Sequence, residues 1–165
     1  YYSSDLPEGT YPFAIYAWNY VGLHPMFKVV PVCENALVSA ELTEILQEAE
    51  TATTAVQVPT NTWEGLEGKH IALWQAEKQK YITEVQGTAN FKLESITSNF
   101  RNRKRTLEQK IRDSFEDKIT RMYQSELTTA TENYQNKIAE INERTDRADI
   151  HTALVAHGII EIKRG

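Results

Sequence analysis

Hydrophobic and polar positions change rhythm twice along this chain, and each change predicts a change of structure. Residues 1–10 read as an entry loop, with Leu6-Pro7-Glu8-Gly9 supplying turn chemistry. Tyr11 to Tyr20 (YPFAIYAWNY) is dense in aromatic and β-branched residues, which predicts a strand. Gly22, His24 and Pro25 interrupt it, and Met26 to Val32 (MFKVVPV) predicts a second strand. Pro31 has no N–H to give a ladder, so this strand belongs at an edge or ends there. The two form an antiparallel hairpin. Ser39 is placed to cap a short helix to about Glu50, with Leu42, Ile45, Leu46 and Ala49 on one face. Thr51 to Thr62 (TATTAVQVPTNT) reads as a linker.

From about Trp63 to Thr145 proline disappears and apolar residues return every three or four positions. Leu66, His70, Leu73, Tyr81, Val85, Ala89, Leu93, Ile96 and Phe100 form one stripe. Leu107, Ile111, Phe115, Ile119, Met122, Leu127, Ala130, Tyr134, Ile138 and Ile141 form another. The period is helical and the intervening positions are Glu, Lys, Arg, Gln and Asn, as on a solvated coiled-coil face. One unbroken helix of about 80 residues would run roughly 120 Å. Thr152 to Ile162 (TALVAHGIIEI) then reads as another strand, which needs a sheet to join. The helical region must therefore go out and return, with its midpoint near Asn99–Lys104 and Gly87-Thr88 as the other candidate break. The predicted fold is α+β: a small antiparallel sheet with a short helix and a long projecting antiparallel coiled-coil hairpin. Residues 1–60 form its base, 61–147 the helical arm and 148–165 the returning strand, one domain overall.

Composition narrows the class. The chain has 165 residues, 41% hydrophobic and 25% charged, enough for a core and typical of a folded domain. A mean hydropathy of -0.51 fits a long helix that buries one stripe of itself. No run approaches the roughly 18 apolar residues of a membrane span, so no membrane partner is expected. The start lacks Met and a charged-then-apolar leader, and the expectation is a fragment of a larger intracellular protein. Cys33 is the single cysteine, which favours a reducing compartment, the cytoplasm. Residues 1–60 carry seven acids against Lys28 alone, while the remainder is nearly balanced. Any surface for nucleic acid belongs to the second part, because the first repels phosphate.

Candidate chemistry is sparse. There is no Gly-rich phosphate loop ending in Lys-Ser/Thr and no Gly-x-Ser-x-Gly elbow. His24, His70, His151 and His157 lack the spacing of a helical zinc site and read as structural or solvent-facing. Cys33 sits beside Glu34, the wrong charge for an activated nucleophile. Trp18, Trp63 and Trp74 read as packing residues. The expectation is no catalytic residue, no metal and no cofactor. One segment stands out, residues 101–112 (RNRKRTLEQKIR), where Arg101, Arg103, Lys104, Arg105, Lys110 and Arg112 face a single acid, Glu108. Helical spacing puts Arg101, Lys104, Arg105 and Arg112 on about one side, suited to tracking a phosphate backbone. The competing reading has these residues solubilise a long helix and pair with acids on the opposing one.

The order of elements also carries a resemblance. LPEGTYPFAIYAW, FKVVPVCEN and SAELTEILQEAE, followed by WEGLEGKHIALW, RKRTLEQKIRDSFEDKITRMYQSEL and ENYQNKIAEINER, and closed by ADIHTALVAHGIIEI, resemble the region after the motor in bacterial and archaeal Swi/Snf-type, RapA-like helicases. The likeness spans nearly all of the chain. It implies a non-catalytic accessory C-terminal domain of an ATP-dependent, nucleic-acid-dependent motor, because the family's ATPase motifs do not occur here. The partners it implies are the motor domains of the same polypeptide and DNA or RNA. The alternative is a protein-docking or oligomerisation module without nucleic-acid contact.

Overall fold

The computed structural model describes residues 5–51 and 57–164. Its elements in chain order are β1 (Gly9–Val21), β2 (Met26–Cys33), α1 (Ala36–Ala40), α2 (Leu42–Glu48), α3 (Asn61–Asp113), α4 (Asp117–Asp146) and β3 (Asp149–Ile162). The fold is α+β, with a three-stranded antiparallel sheet and a hairpin of two long helices. The chain divides into two compact units. One comprises Tyr1–Val21, Pro25–Gln79 and Ile150–Gly165; the other comprises Gly22–His24 and Lys80–Asp149.

The first unit is built on the sheet, in the order β2-β1-β3. β1 and β2 pair antiparallel from Phe13↔Cys33 to Tyr20↔Met26. The proline expectation holds, since Pro31 pairs with Ile15 on a strand at the sheet edge. Alternation along β1 gives the sheet two apolar faces. Phe13 and Cys33 turn to one face, where Val38, Leu42, Ile45, Leu6 and Ile160 complete a buried cluster. Gly158 of β3 belongs here for a steric reason: a Cβ would stand 2.8 Å from the Phe13 ring. Each of Val38, Leu42 and Ile45 contributes about 1.5–3 kcal/mol by leaving water. The expected single helix from Ser39 is instead two short ones. Its cap is Asn35, whose Oδ1 accepts from the N–H groups of Leu37 (3.0 Å) and Val38 (3.1 Å). The linker expected over Thr51–Thr62 partly lies outside the described residues, and α3 already begins at Asn61.

The other sheet face meets the first turns of α3. Tyr16 and Trp18 of β1 are buried there with Leu66 and His70 of α3. Trp18 Nε1 donates to His70 Nε2 at 2.8 Å, and the Tyr16 ring stacks on the imidazole at 3.5 Å and 5°. Thr152 Oγ1 of β3 lies 3.1 Å from the same nitrogen. Trp74 Nε1 donates to the Ile150 carbonyl at 2.8 Å, and Trp63 lies against His157 with ring centroids 4.7 Å apart. The tryptophans are packing residues, as their positions suggested, and two of them join α3 to β3. Lys69 Nζ donates to the Cys33 carbonyl.

The second unit is an antiparallel helical hairpin. Its turn is Ser114–Glu116, beyond the expected Asn99–Lys104, and α3 runs unbroken through Gly87-Thr88. Pairing is antiparallel: Thr97 Oγ1 and Tyr134 Oη are 3.0 Å apart, Phe100 stacks on Tyr134 at 4.2 Å, and Lys110 Nζ lies 5.4 Å from the Tyr123 ring centroid. Tyr81, Val85, Ala89 and Leu107 are its buried side chains on α3, whereas α4 has none. Two helices cover only part of each stripe. Ile119 and Met122, expected to be covered, are accordingly exposed, and Phe115 sits in the turn, 100% exposed. Leu73, on the part of α3 that belongs to the sheet unit, is also exposed. The Gly22 loop enters this unit. Gly22 has φ +118°, and a Cβ there would stand 2.9 Å from both the Ala148 Cα and the Arg144 carbonyl oxygen. Tyr81 Oη donates to the neighbouring His24 carbonyl at 3.1 Å.

Two outcomes follow from this packing. Gly22→Ala adds a clash to a backbone strained for any side chain, so it should lower stability by more than about 1 kcal/mol in denaturant titration. Burial lowers the His70 pKa, partly opposed by the Glu67 carboxylate. The groups around it are the stacked Tyr16 ring, the Trp18 N–H, Glu67 and Thr152. The unfolded chain therefore binds a proton that the folded one resists. Stability linked to His70 should be complete above the unfolded value of about 6.5 and fall as pH drops below it. Denaturant titrations on either side of that pH should show the loss, and it should shrink in His70→Gln.

Candidate nucleic-acid interface

α3 carries the basic segment over its last turns before the hairpin, where no proline, glycine or β-branched run competes with helix between Asn99 and Asp113. Arg101 to Arg112 spans roughly 16 Å of helix. All six predicted residues are exposed. Glu94, Thr97, Ser98, Arg101, Asn102 and Arg105 recur at helical intervals and, with Leu93, line an open groove of about 560 Å³. Thr97, Ser98 and Asn102 were not singled out in the sequence. Their spacing of three or four from Arg101 and Arg105 was the available signal.

The six cations divide by their surroundings. Arg101, Arg103 and Arg105 make no ion pair among the described residues. Lys104 Nζ stands 4.0 Å from Glu108 one turn on, half exposed, a pair worth under about 1 kcal/mol in water. Arg112 donates from Nη2 to Gln109 Oε1 at 2.6 Å, and Gln109 in turn donates to Asp113 at 3.0 Å. Lys110 turns to the other side of the helix, over Tyr123 of α4. Among the described residues no member of the cluster pairs with an acid of α4. Among the described residues, the ion pairs at the end of α4 run along the helix, Arg144 with Glu140 and the C-cap residue Arg147 with Glu143. Cross-helix neutralisation therefore does not account for the arginines. Glu94 is the acid within the groove.

Other candidates for chemistry are placed elsewhere. Cys33 is buried in the sheet unit's core. His70 accepts a hydrogen bond from Trp18 and is 2% exposed. Among the described residues no group of three or more His, Cys, Asp or Glu side chains is arranged to hold a metal ion. No described helix is long and apolar enough to cross a membrane. No family model matches the chain, and no curated protein or solved structure matches it at a significant level.

Proposed function

We propose that the chain is a non-catalytic accessory domain of a nucleic-acid-dependent ATPase of the Swi/Snf type it resembles, and that the basic face of α3 touches nucleic acid. The observation that carries this reading is the pair of exposed arginines on that face, Arg101 and Arg105, without an ion-pair partner among the described residues. An unpaired guanidinium presents a planar fork of donors that fits a phosphate with two parallel hydrogen bonds. Arg101 and Arg105 stand one turn apart, about 6 Å along the axis, and Arg112 continues the side two turns later. Such contacts position a backbone and read no bases, so binding is indifferent to sequence. A cytoplasmic location, with the motor domains of the same polypeptide as neighbours, goes with this reading. So does Cys33 as a lone buried thiol.

The electrostatic mechanism fixes a salt dependence. If Arg101, Lys104, Arg105 and Arg112 each neutralise one phosphate of a duplex, log K should fall against log salt with a slope of about -3.6. Fluorescence anisotropy with labelled duplex and single strands measures it. Changing Arg101, Arg103, Lys104 and Arg105 to Glu should weaken binding at least about tenfold and flatten the slope. Absence of binding by the unaltered chain at low salt, or an unchanged slope in the variant, overturns the proposal.

A further inference from the structure

We propose that the basic face of α3 takes a single strand of nucleic acid in preference to a duplex, with one base stacked on the ring of Phe91. This preference rests on the reading of Arg101 and Arg105 as phosphate contacts. Phe91 is 75% exposed and has no ring contact among the described residues. It stands apart from the packing stripe of the helix: Phe100, nine residues on, lies half a turn round and stacks on Tyr134. The face that Phe91 does share is the basic one. At about 3.6 residues per turn, Phe91, Ser98, Asn102 and Arg105 fall within an arc of about 60°, and Arg101 adjoins it. Along the axis Phe91 lies about 15 Å before Arg101 and about 21 Å before Arg105, a span of a few nucleotides.

Two kinds of contact therefore lie in line on one helix. A guanidinium recognises a phosphate in a duplex and in a single strand alike. An exposed aromatic ring recognises the face of a base, which a duplex keeps stacked inside itself and a single strand leaves open. Both apolar faces leave water when they meet. Glu94, one turn beyond Phe91, is the acid of the groove and repels phosphate, so at that end the strand presents a base rather than its backbone. Ser98 and Asn102, both exposed, supply hydroxyl and amide donors to the backbone on its way to the arginines. Stacking accepts any base and is indifferent to the sugar, so DNA and RNA strands are taken alike.

Fluorescence anisotropy of the full chain tests this with a labelled DNA strand, the matching RNA strand, a DNA duplex and a strand of equal length made of abasic units. Phe91→Ala should weaken binding of both single strands about five- to a hundredfold and leave the duplex within about twofold. Phe91→Trp should restore the single-strand affinity, whereas Phe91→Leu, apolar but without a π face, should not. The abasic strand should bind the unaltered chain as weakly as the intact strand binds Phe91→Ala, and should lose nothing further in that variant. Strand and duplex binding that Phe91→Ala leaves unchanged, or weakens equally, overturns the inference while the reading of the arginines stands. A chain that binds neither form at low salt overturns that reading and the inference with it. A dimer seen by sedimentation velocity without nucleic acid, and lost in Phe91→Ala, also overturns the inference, because the ring then meets a second copy.

Discussion

The hydrogen bond from Trp18 to His70 is the constraint around which the sheet unit is arranged. It joins residues 52 positions apart at 2.8 Å, and both side chains are almost wholly buried. Because the indole N–H can only donate, His70 Nε2 must accept, and the imidazole is neutral with its proton on Nδ1. Tyr16 stacked on the ring and Thr152 beside it fix the orientation from β1 and β3 together. Removing His70 strands the buried indole N–H of Trp18, at a cost of about 1–3 kcal/mol. The contact thus sets the rotation of the first turns of α3 on the sheet, with Leu66 and His70 turned inward. It also explains why a polar residue occupies an otherwise apolar stripe.

The hairpin unit obeys a different balance. Its helices bury few side chains, and α4 buries none fully. Cohesion rests on a sparse set of contacts, chiefly the Phe100–Tyr134 stack, the Thr97–Tyr134 hydrogen bond and Lys110 over Tyr123. Much of each helix is consequently left as solvated surface. Surface of that kind normally carries interleaved charges, as along α4 from Glu140 to Arg147. The stretch from Arg101 to Arg105 departs from that pattern, and this local excess of positive charge is the basis of the functional reading.

Strong local signals made much of the fold legible in the sequence. The aromatic, β-branched run at Tyr11–Tyr20 marked β1, Pro31 marked β2 as an edge, and the long proline-free period marked α3 and α4. Where two local signals compete, neighbouring residues alone do not decide between them. Asn35 and Ser39 are both capable caps, and Asn35 takes the role, starting α1 one turn earlier with Val38 buried in it. The turn at Ser114–Glu116 carries no glycine or proline. Its local support is Thr120 Oγ1 donating to Ser114 Oγ at 2.8 Å and approaching the Glu116 carbonyl, a pattern that spacing alone does not advertise. Pairing across distance was invisible: nothing near His70 announces Trp18. The basic segment was readable as a helical face, but the diversion of Lys110 to Tyr123 required the partner helix.

The arginines of α3 that have no ion-pair partner among the described residues are proposed to meet a phosphate backbone. Nitrogen–proton correlation spectra of the arginine side chains, recorded while the full chain is titrated with duplex DNA at low salt, address it residue by residue. The Nε–H signals of Arg101 and Arg105 should move together and saturate, with Arg112 following, while those of Arg144 and Arg147, already paired with acids, stay in place. Signals that remain still at saturating DNA, or that move first at Arg144 and Arg147, would contradict it.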